Sequence, residues 1–127
     1  MAMAKRGIYI SHNVTLHDHE RSTINFLLQK GYSVELVRPT NICRKPDILL
    51  NGVQYEIKSP LGDTKWTISR NLNKGRGQSN RIIIDLRRCK RSDEKCLREI
   101  RNYLAESRSV IEIIAITKDC RQIVYSK

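Results

Sequence analysis

Three side chains suited to phosphoryl chemistry lie in one short stretch of the sequence, residues 45–60 (KPDILLNGVQYEIKSP). Asp47 and Glu56 are carboxylates, which Mg²⁺ prefers as ligands, and Lys58 is a cation two residues beyond Glu56. A divalent cation held by both carboxylates would activate a water molecule and stabilise charge on a phosphate. The stretch therefore indicates a metal-dependent site that hydrolyses phosphodiester bonds.

A β-hairpin would bring these side chains together. Asn51-Gly52 between two runs of β-forming residues predicts a two-residue type I′ turn, which fixes the register. Asp47 then lies opposite Glu56, a like-charged pair that a purely structural sheet would avoid. The register also places Leu50 opposite Val53, Leu49 opposite Gln54 and Ile48 opposite Tyr55. With a period of two, the core face holds Ile48, Leu50, Val53, Tyr55 and Ile57, and the other face holds Asp47, Gln54, Glu56 and Lys58.

The remaining pattern predicts an α/β (α+β) fold, a mixed central β-sheet with flanking helices. Its elements follow in the order α-β-β-β-α-β-α-β-β. They are a helix from an N-cap at Asp18 to Gly31, a strand over 32–38, the hairpin, an interrupted helix holding Trp66, Ile68 and Leu72 that ends by 74–78, a strand over 81–86, a helix capped by Ser92, and strands over 110–117 and 122–125.

Length and charge narrow the function classes. The chain has 127 residues, which predicts a single domain over 1–127, and its net charge is +11. The charge favours nucleic acid as partner, while the absence of a long apolar segment argues against a membrane. Four cysteines without C-x-x-C spacing argue against zinc and for reduced thiols, and no signal-peptide pattern opens the chain. We expect a cytoplasmic protein, or a module of something larger.

The positive charge is concentrated in the second half of the chain. Residues 65–108 contain 13 Lys and Arg but five Asp and Glu. Two loops carry the basic residues that we predict to bind nucleic acid, and these are Lys74, Arg76, Arg87, Arg88, Lys90 and Arg91. Because no recognition helix, zinc finger or aromatic ribonucleoprotein motif is present, RNA or structured DNA is favoured over sequence-specific duplex reading.

Pro46-Asp47 at the head of one strand and Glu56-Ile57-Lys58 on its partner resemble the PD-(D/E)xK nuclease superfamily. The resemblance includes an acid on the preceding helix, Glu20, and a glutamine before the next strand, Gln78. It implies a restriction-endonuclease-like α-β-β-β-α-β core and a Mg²⁺ or Mn²⁺ cofactor. It also implies that Glu20, Asp47, Glu56, Lys58 and Gln78 are catalytic, and that the metal ligands are Asp47, Glu56 and the backbone carbonyl of Ile57.

The chain is also similar to the toxin nuclease domains at the C-termini of bacterial contact-dependent growth inhibition CdiA proteins, some of which cut transfer RNA. That resemblance implies an RNase toxin that favours tRNA, carried by a secreted or cell-surface protein. It further implies an acidic immunity protein that covers the basic cleft.

Two other functions remain open from the sequence. His17 and His19, with Lys58, Thr67 or Ser69, have the residue types of a metal-independent ribonuclease of the barnase and colicin kind. A non-catalytic basic module that binds nucleic acid is the second alternative. Trp66 has the ring to stack on a base, although its spacing from Leu72 favours a core or partly buried position. Asp85 is expected either to support the site or simply to end a strand.

Overall fold

The structure, a computed structural model, describes residues 6–12, 16–37 and 47–127. Within these ranges it has a mixed sheet of seven strands and three helices, which confirms the predicted α+β class. The elements in chain order are β1 (Tyr9–Ile10), α1 (Asp18–Gln29), β2 (Val34–Val37), β3 (Asp47–Leu50), β4 (Val53–Lys58), α2 (Thr67–Arg76), β5 (Arg81–Asp85), α3 (Asp93–Glu106), β6 (Glu112–Ile116) and β7 (Gln122–Ser126).

Hydrogen bonds join the strands in sequence order, from β1 to β7. The pairs β1–β2, β4–β5 and β5–β6 are parallel, and the pairs β2–β3, β3–β4 and β6–β7 are antiparallel. The chain forms two compact units that divide within β4, residues up to Tyr55 and residues from Glu56 onward.

In the first unit, α1 begins and ends at sequence-specified positions. Its N-cap is His17, with extended backbone, so the helix starts one residue before the Asp18 cap that the sequence predicted. Gly31 ends it with a φ of +98°, while the Gly31 N–H donates to Leu28 and the Tyr32 N–H donates to Leu27. This is a Schellman motif, and it favours glycine because an L side chain is strained at positive φ.

The predicted hairpin forms in the predicted register. Asn51 and Gly52 have φ values of +49° and +83°, as a type I′ turn requires. Ile48 pairs with Tyr55, Leu49 with Gln54 and Leu50 with Val53. The observed pairing stops there, one step short of the predicted opposition of Asp47 and Glu56, while Asp47 pairs on its other side with Val37.

The second unit is organised around strand β5. Its side chains Ile82, Ile83 and Ile84 are fully buried, as expected for a parallel strand flanked on both sides. Helix α2 packs on this strand and helix α3 on the neighbouring β6, with Ile68 and Leu72 from α2 and Ile100 from α3 in one apolar cluster. Ser92 caps α3 as predicted, because its Oγ accepts the Lys95 N–H at 3.4 Å.

Three expectations from the sequence are wrong. The short strand β1 precedes the first helix, so the element order begins with a strand. Val53 is 39% exposed, because it sits beside the hairpin turn, where the sheet face ends. Trp66 is 54% exposed rather than in the core, because α2 begins at Thr67 and leaves Trp66 as its N-cap, outside the helical repeat.

Candidate active site

Strand β4 places Glu56 and Lys58 on one face of the second unit. Glu56 lies beside Ile82 of β5 and Lys58 beside Ile84, while the intervening Ile57 points to the opposite face and is 4% exposed. The Glu56 and Lys58 side chains are only 14% and 11% exposed, and Lys58 Nζ lies 3.8 Å from Glu56 Oε1. A carboxylate and an ammonium thus share a poorly hydrated position, where charge interactions are stronger than in water.

Gln78 is brought to the same carboxylate from the end of α2. Gly77 caps that helix and the Gln78 N–H donates to Gly75 at 2.9 Å, which turns the chain back toward β5. With its amide nitrogen facing the acceptor, Gln78 Nε2 donates to Glu56 Oε1 at 3.0 Å and also contacts Oε2. The structure therefore assembles Glu56, Lys58 and Gln78 into one polar cluster, which we call the β4 cluster.

Gly75 makes this approach possible. The glycine is buried under β5, and a Cβ at this position would lie 3.0 Å from Ile82 Cδ1. That distance is tighter than ordinary van der Waals contact, so a larger residue would push the end of α2 away from the strand. Because Gln78 follows Gly75 by three residues, such a shift would also displace the amide from Glu56.

The β4 cluster has part of the chemistry that Mg²⁺ or Mn²⁺ would require. Glu56 supplies one carboxylate, and Ile57 would contribute through its backbone carbonyl. In the part of the chain that the structure describes, no group of three or more His, Cys, Asp and Glu side chains lies close enough together to hold a metal ion. Metal binding by Glu56, Ile57 and Asp47 therefore stays a prediction.

Asp47 and Glu20 both lie in the first unit. The backbone of Asp47 opens strand β3. Glu20 is in the first turn of α1, and its Oε1 accepts the His17 N–H at 3.3 Å. This contact gives Glu20 a helix-capping role, since it satisfies a backbone donor at the helix start. Its assignment as a catalytic residue stays a prediction, and Pro46 lies outside the described residues.

The two histidines of the alternative mechanism are neighbours on α1. Their rings are stacked, with centroids 5.7 Å apart and planes 6° from parallel. His17 is exposed at the N-cap, while His19 lies in the first turn and is half-buried. The arrangement holds two imidazoles together at the start of a helix and leaves their catalytic use a prediction.

The loop between β5 and α3 carries four of the predicted nucleic-acid-binding residues, and two of them form ion pairs within the unit. Arg87 binds the buried Asp85 through Nε to Oδ1 at 3.0 Å and Nη2 to Oδ2 at 2.7 Å. Arg91 binds Glu99 in the same two-pronged way, at 3.0 and 2.7 Å. The bound carboxylate raises the pKa of each guanidinium. Asp85 accordingly has a structural role in anchoring the loop.

The other basic side chains have no carboxylate partner within 4 Å in the described ranges. Arg88 donates instead to neutral oxygens of Ser59, and Lys90, Lys74 and Arg76 are exposed. The contact of Arg88 with Ser59 was not predicted, because nothing in the spacing of two residues so far apart in sequence signals it. These four cations, unlike Arg87 and Arg91, keep their charge available for an anion.

The region from residue 44 to residue 121 matches the model of the family described as "Contact-dependent growth inhibition CdiA C-terminal domain". This is more than half of the chain. The chain belongs to the CdiA C-terminal domain family. The matched region includes the β4 cluster and all six basic residues predicted to bind nucleic acid, whereas Glu20, His17 and His19 precede it. Lys74 and Arg76 lie in the last turn of α2 rather than in the loop that the sequence predicted.

One solved structure is similar to the whole chain. It is described as "CdiA-CT/CdiI toxin and immunity complex from Burkholderia pseudomallei", and the two chains superpose with a TM-score of 0.65 at 20% sequence identity. The alignment covers 91% of this chain and 92% of the other. This likeness shows a shared fold for the CdiA C-terminal domain. No curated protein shows significant sequence similarity to the chain.

None of the helices among the described residues is long and apolar enough to cross a bilayer. The predicted membership in the PD-(D/E)xK superfamily is finer than the family assignment, and it stays a prediction that the β4 cluster supports.

Proposed function

We propose that this CdiA C-terminal domain is a nuclease toxin that hydrolyses phosphodiester bonds of RNA, with transfer RNA as the favoured substrate. The observation that carries the proposal is the β4 cluster, in which the exposed Gln78 donates to the partly buried Glu56, beside the partly buried Lys58. A structural sheet has no need of a carboxylate, an ammonium and an amide at one such position. The net charge of +11 supports a polyanionic substrate.

Each residue of the β4 cluster has a distinct role in this proposal. Gln78 fixes the orientation of the Glu56 carboxylate, since the amide donates to it. Lys58 keeps its ammonium 3.8 Å from Glu56 Oε1, and this positive charge would neutralise a phosphate oxygen as negative charge develops in the transition state. The nearby carboxylate stabilises the ammonium, so charge stabilisation suits Lys58 better than proton abstraction does.

Glu56, Asp47 and the carbonyl of Ile57 would hold Mg²⁺ or Mn²⁺ in this proposal. When bound, the ion would supply Lewis-acid stabilisation of the phosphate and a more acidic water. A thermal-shift measurement tests the assignment without a substrate, because a ligand stabilises the folded state that binds it. Mg²⁺ or Mn²⁺ should raise the melting temperature of the parent and leave that of Asp47→Asn nearly unchanged. An equal rise in both proteins would remove Asp47 from the ligand set.

A single incubation tests the proposed activity. The purified chain is mixed with total RNA or with supercoiled plasmid, in Mg²⁺ or in excess EDTA. We expect RNA to be cleaved in Mg²⁺, with tRNA consumed first, and the plasmid and the EDTA samples to stay intact. Binding without cleavage in any sample would instead identify a non-catalytic module. Cleavage that survives EDTA would favour the metal-independent ribonuclease, and loss of that activity in His19→Ala would assign it to the stacked histidines.

We also propose that the domain is carried by a secreted or cell-surface protein and acts in the cytoplasm of a target cell. The similar Burkholderia pseudomallei structure is a complex with an immunity protein. An acidic immunity protein would match the +11 charge of this chain and block its substrate surface. Co-expression offers a test, since such a partner should restore growth to cells that the active domain arrests.

A further inference from the structure

Trp66 presents an exposed aromatic ring in a loop of the second unit. The residue is 54% exposed, and Leu61 in the same loop is 53% exposed. Trp is usually largely buried, because its ring has a large apolar area. The loop, residues 59–66, starts directly after Lys58 and ends at the first turn of α2. The ring therefore lies close in sequence to the β4 cluster, and no apolar core accounts for its position.

Hydrogen bonds fix the loop around the ring. The Thr64 N–H donates to Thr67 Oγ1 at 3.1 Å, and the Trp66 N–H donates to Thr64 Oγ1 at 3.2 Å. Gly62 packs so tightly against Thr67 that a Cβ would lie 2.6 Å from its Oγ1. An aromatic ring on such a loop loses little conformational freedom when a ligand binds.

The loop is also tied to the basic loop between β5 and α3. Cys89 Sγ donates to the Gly62 carbonyl at 3.3 Å, and the Lys90 N–H donates to the Leu61 carbonyl at 3.2 Å. The Arg88 guanidinium donates to the Ser59 carbonyl at 2.6 Å through Nη2, and to Ser59 Oγ at 2.8 Å through Nε. These contacts place the exposed ring and the cationic side chains on adjoining segments.

One cation contacts the ring, and two more lie on the adjoining loop. Lys65 Nζ lies 4.9 Å from the centre of the Trp66 ring, a cation–π distance. Arg88 and Lys90 are exposed on the adjoining loop, and within the described part of the chain none of the three has a carboxylate within 4 Å. An exposed aromatic ring with unneutralised positive charge on neighbouring segments is complementary to one chemical unit above others, a base attached to a phosphate.

We propose that Trp66, Lys65, Arg88 and Lys90 form a binding site for an unpaired nucleotide, in which the base stacks on the indole and the cations contact its phosphates. The site deepens the proposed nuclease function and rests on it. An unpaired base is required, because a base inside a duplex has both faces covered by its neighbours. A protein partner would use a broader apolar patch than one ring and one leucine, so the charge favours nucleic acid.

The site would bind a nucleotide other than the one at the cleaved bond. Trp66 caps the start of α2, whereas Gln78 follows its end and contacts Glu56. A helix of 10 residues spans roughly 15 Å at 1.5 Å per residue. The stacked base is thus separated along the strand from the phosphate at the β4 cluster. Substrates would need an unpaired segment that extends beyond the cleavage position.

The chain contains a single tryptophan, so its intrinsic fluorescence reports on Trp66 alone. The experiment titrates the Glu56→Gln variant, chosen so that substrate stays intact, with single-stranded octanucleotides of RNA and of DNA and with a blunt duplex. We expect saturable quenching by a single strand and little by the duplex. Quenching by either single strand supports the site, and the more effective one identifies the preferred sugar.

The affinity for a labelled single strand, measured by fluorescence anisotropy, separates the contribution of stacking to binding from the contribution of charge. Trp66→Ala should weaken binding about tenfold, since stacking on an aromatic side chain contributes about 1–3 kcal/mol. Trp66→Phe keeps a ring on which a base can stack, so its dissociation constant should stay within about threefold of that of the parent. Neither should alter the salt dependence, whereas Lys90→Ser should reduce its slope.

Three results would overturn the inference, and they differ in what they imply for the proposed nuclease function. If the chain binds and cleaves RNA but Trp66 fluorescence and the Trp66→Ala affinity are unchanged, the nucleotide site is wrong and the nuclease function stands. Quenching by an acidic protein with none by any oligonucleotide would likewise rule out the nucleotide site and assign the ring to a protein partner. If no nucleic acid binds or is cleaved at all, the proposed function fails as well.

Discussion

The amide of Gln78 faces the carboxylate of Glu56, so the end of helix α2 is joined to strand β4 at a partly buried position. Lys58, two residues along β4, places its Nζ 3.8 Å from Oε1 of the same carboxylate. One acid therefore has a neutral donor and a cationic donor directed at it. This relationship determines what each substitution in the cluster should do.

Two substitutions of Gln78, by alanine and by glutamate, test its contact with Glu56. Gln78→Ala removes the amide and should lower kcat on RNA while the fold is retained, because the residue is exposed and such changes usually alter stability by less than about 0.5 kcal/mol. Gln78→Glu places a second negative charge beside Glu56 and should lower kcat further. Initial cleavage rates and melting temperatures of both variants provide the measurement. Equal rates in parent and both variants would show that Gln78 has no role in positioning Glu56.

The salt dependence of RNA binding should separate available cations from paired ones. Lys90 is exposed, whereas Arg91 is held by Glu99. Lys90→Ser should reduce the slope of log K against log salt by about 0.7 for a single strand or 0.9 for a duplex, since one phosphate contact is lost. Arg91→Ser should leave the slope nearly unchanged and lower stability instead. The reverse ranking would mean that the Arg91–Glu99 pair opens to bind phosphate.

Arg87 should matter for stability more than for binding. Its guanidinium satisfies Asp85, whose side chain is 4% exposed. Arg87→Ser would remove the guanidinium hydrogen bonds to that buried carboxylate, so we expect a loss of about 1–3 kcal/mol in the free energy of unfolding. Urea denaturation measures it. Arg87→Lys, which keeps the charge without the two-pronged contact, should fall between parent and serine variant. A serine variant as stable as the parent would contradict the anchoring role of this pair.

The buried cysteines give a prediction about high pH. Burial, assisted by the neighbouring Cys89, raises the pKa of Cys96 from 9.0 to about 12. Above pH 9 the unfolded chain loses this proton and the folded chain keeps it. The contribution of the protonated Cys96 thiol to the free energy of unfolding is therefore fully present below pH 9 and is lost as the pH rises toward 12. Denaturation curves from pH 8 to 11 should show a steeper loss of stability in the parent than in Cys96→Ala. Parallel curves would remove Cys96 as the cause.

Thiol reactivity offers an independent check on the same cysteines. Cys120 is exposed, while Cys89 and Cys96 are buried. In a Cys43→Ser background, a thiol reagent should modify Cys120 at once, and the other two only as fast as the chain unfolds. Immediate reaction of all three would show that Cys89 and Cys96 are accessible to the reagent in the folded chain.

Local signals in the sequence were sufficient for most of the fold. Asn51-Gly52 gave the correct register through Ile48 and Tyr55, because a two-residue turn leaves no freedom in pairing. Gly31 ended α1 and Ser92 began α3 for equally local reasons. Strand β1 was not foreseen as a strand, because two residues are too few for a periodic pattern, and only pairing with Val34 and Glu35 defines it.

The site was less predictable, because its contacts join distant parts of the sequence. Glu56 and Lys58 share a face through strand periodicity, so their proximity follows from the sequence. The contact of Gln78 with Glu56 was expected only through a family resemblance, since it depends on how α2 packs on β5. Trp66 was misplaced in the core because the start of α2 was not located, and one residue decides whether a side chain belongs to the helical repeat.

The pairing of Arg87 and Arg91 with acids shows a limit of reading charge from sequence. All four basic residues of the loop were predicted to contact nucleic acid. Asp85 and Glu99 neutralise two of them, and Glu99 lies on α3, a turn or more beyond the loop. Charge runs predict a partner correctly only where the fold leaves the cations unpaired.

Glu56→Gln shows whether the β4 cluster catalyses phosphodiester hydrolysis. This substitution keeps the shape of the side chain and removes its charge, so the fold and the affinity for RNA should be retained. The measurement is the cleavage rate of end-labelled tRNA in Mg²⁺ by parent and variant, with circular dichroism and anisotropy on the same samples. We predict a fall of at least about 10³-fold in rate, in line with loss of a group that stabilises the transition state. A folded variant that binds tRNA and cleaves it as fast as the parent would show that Glu56, and with it the β4 cluster, is not catalytic.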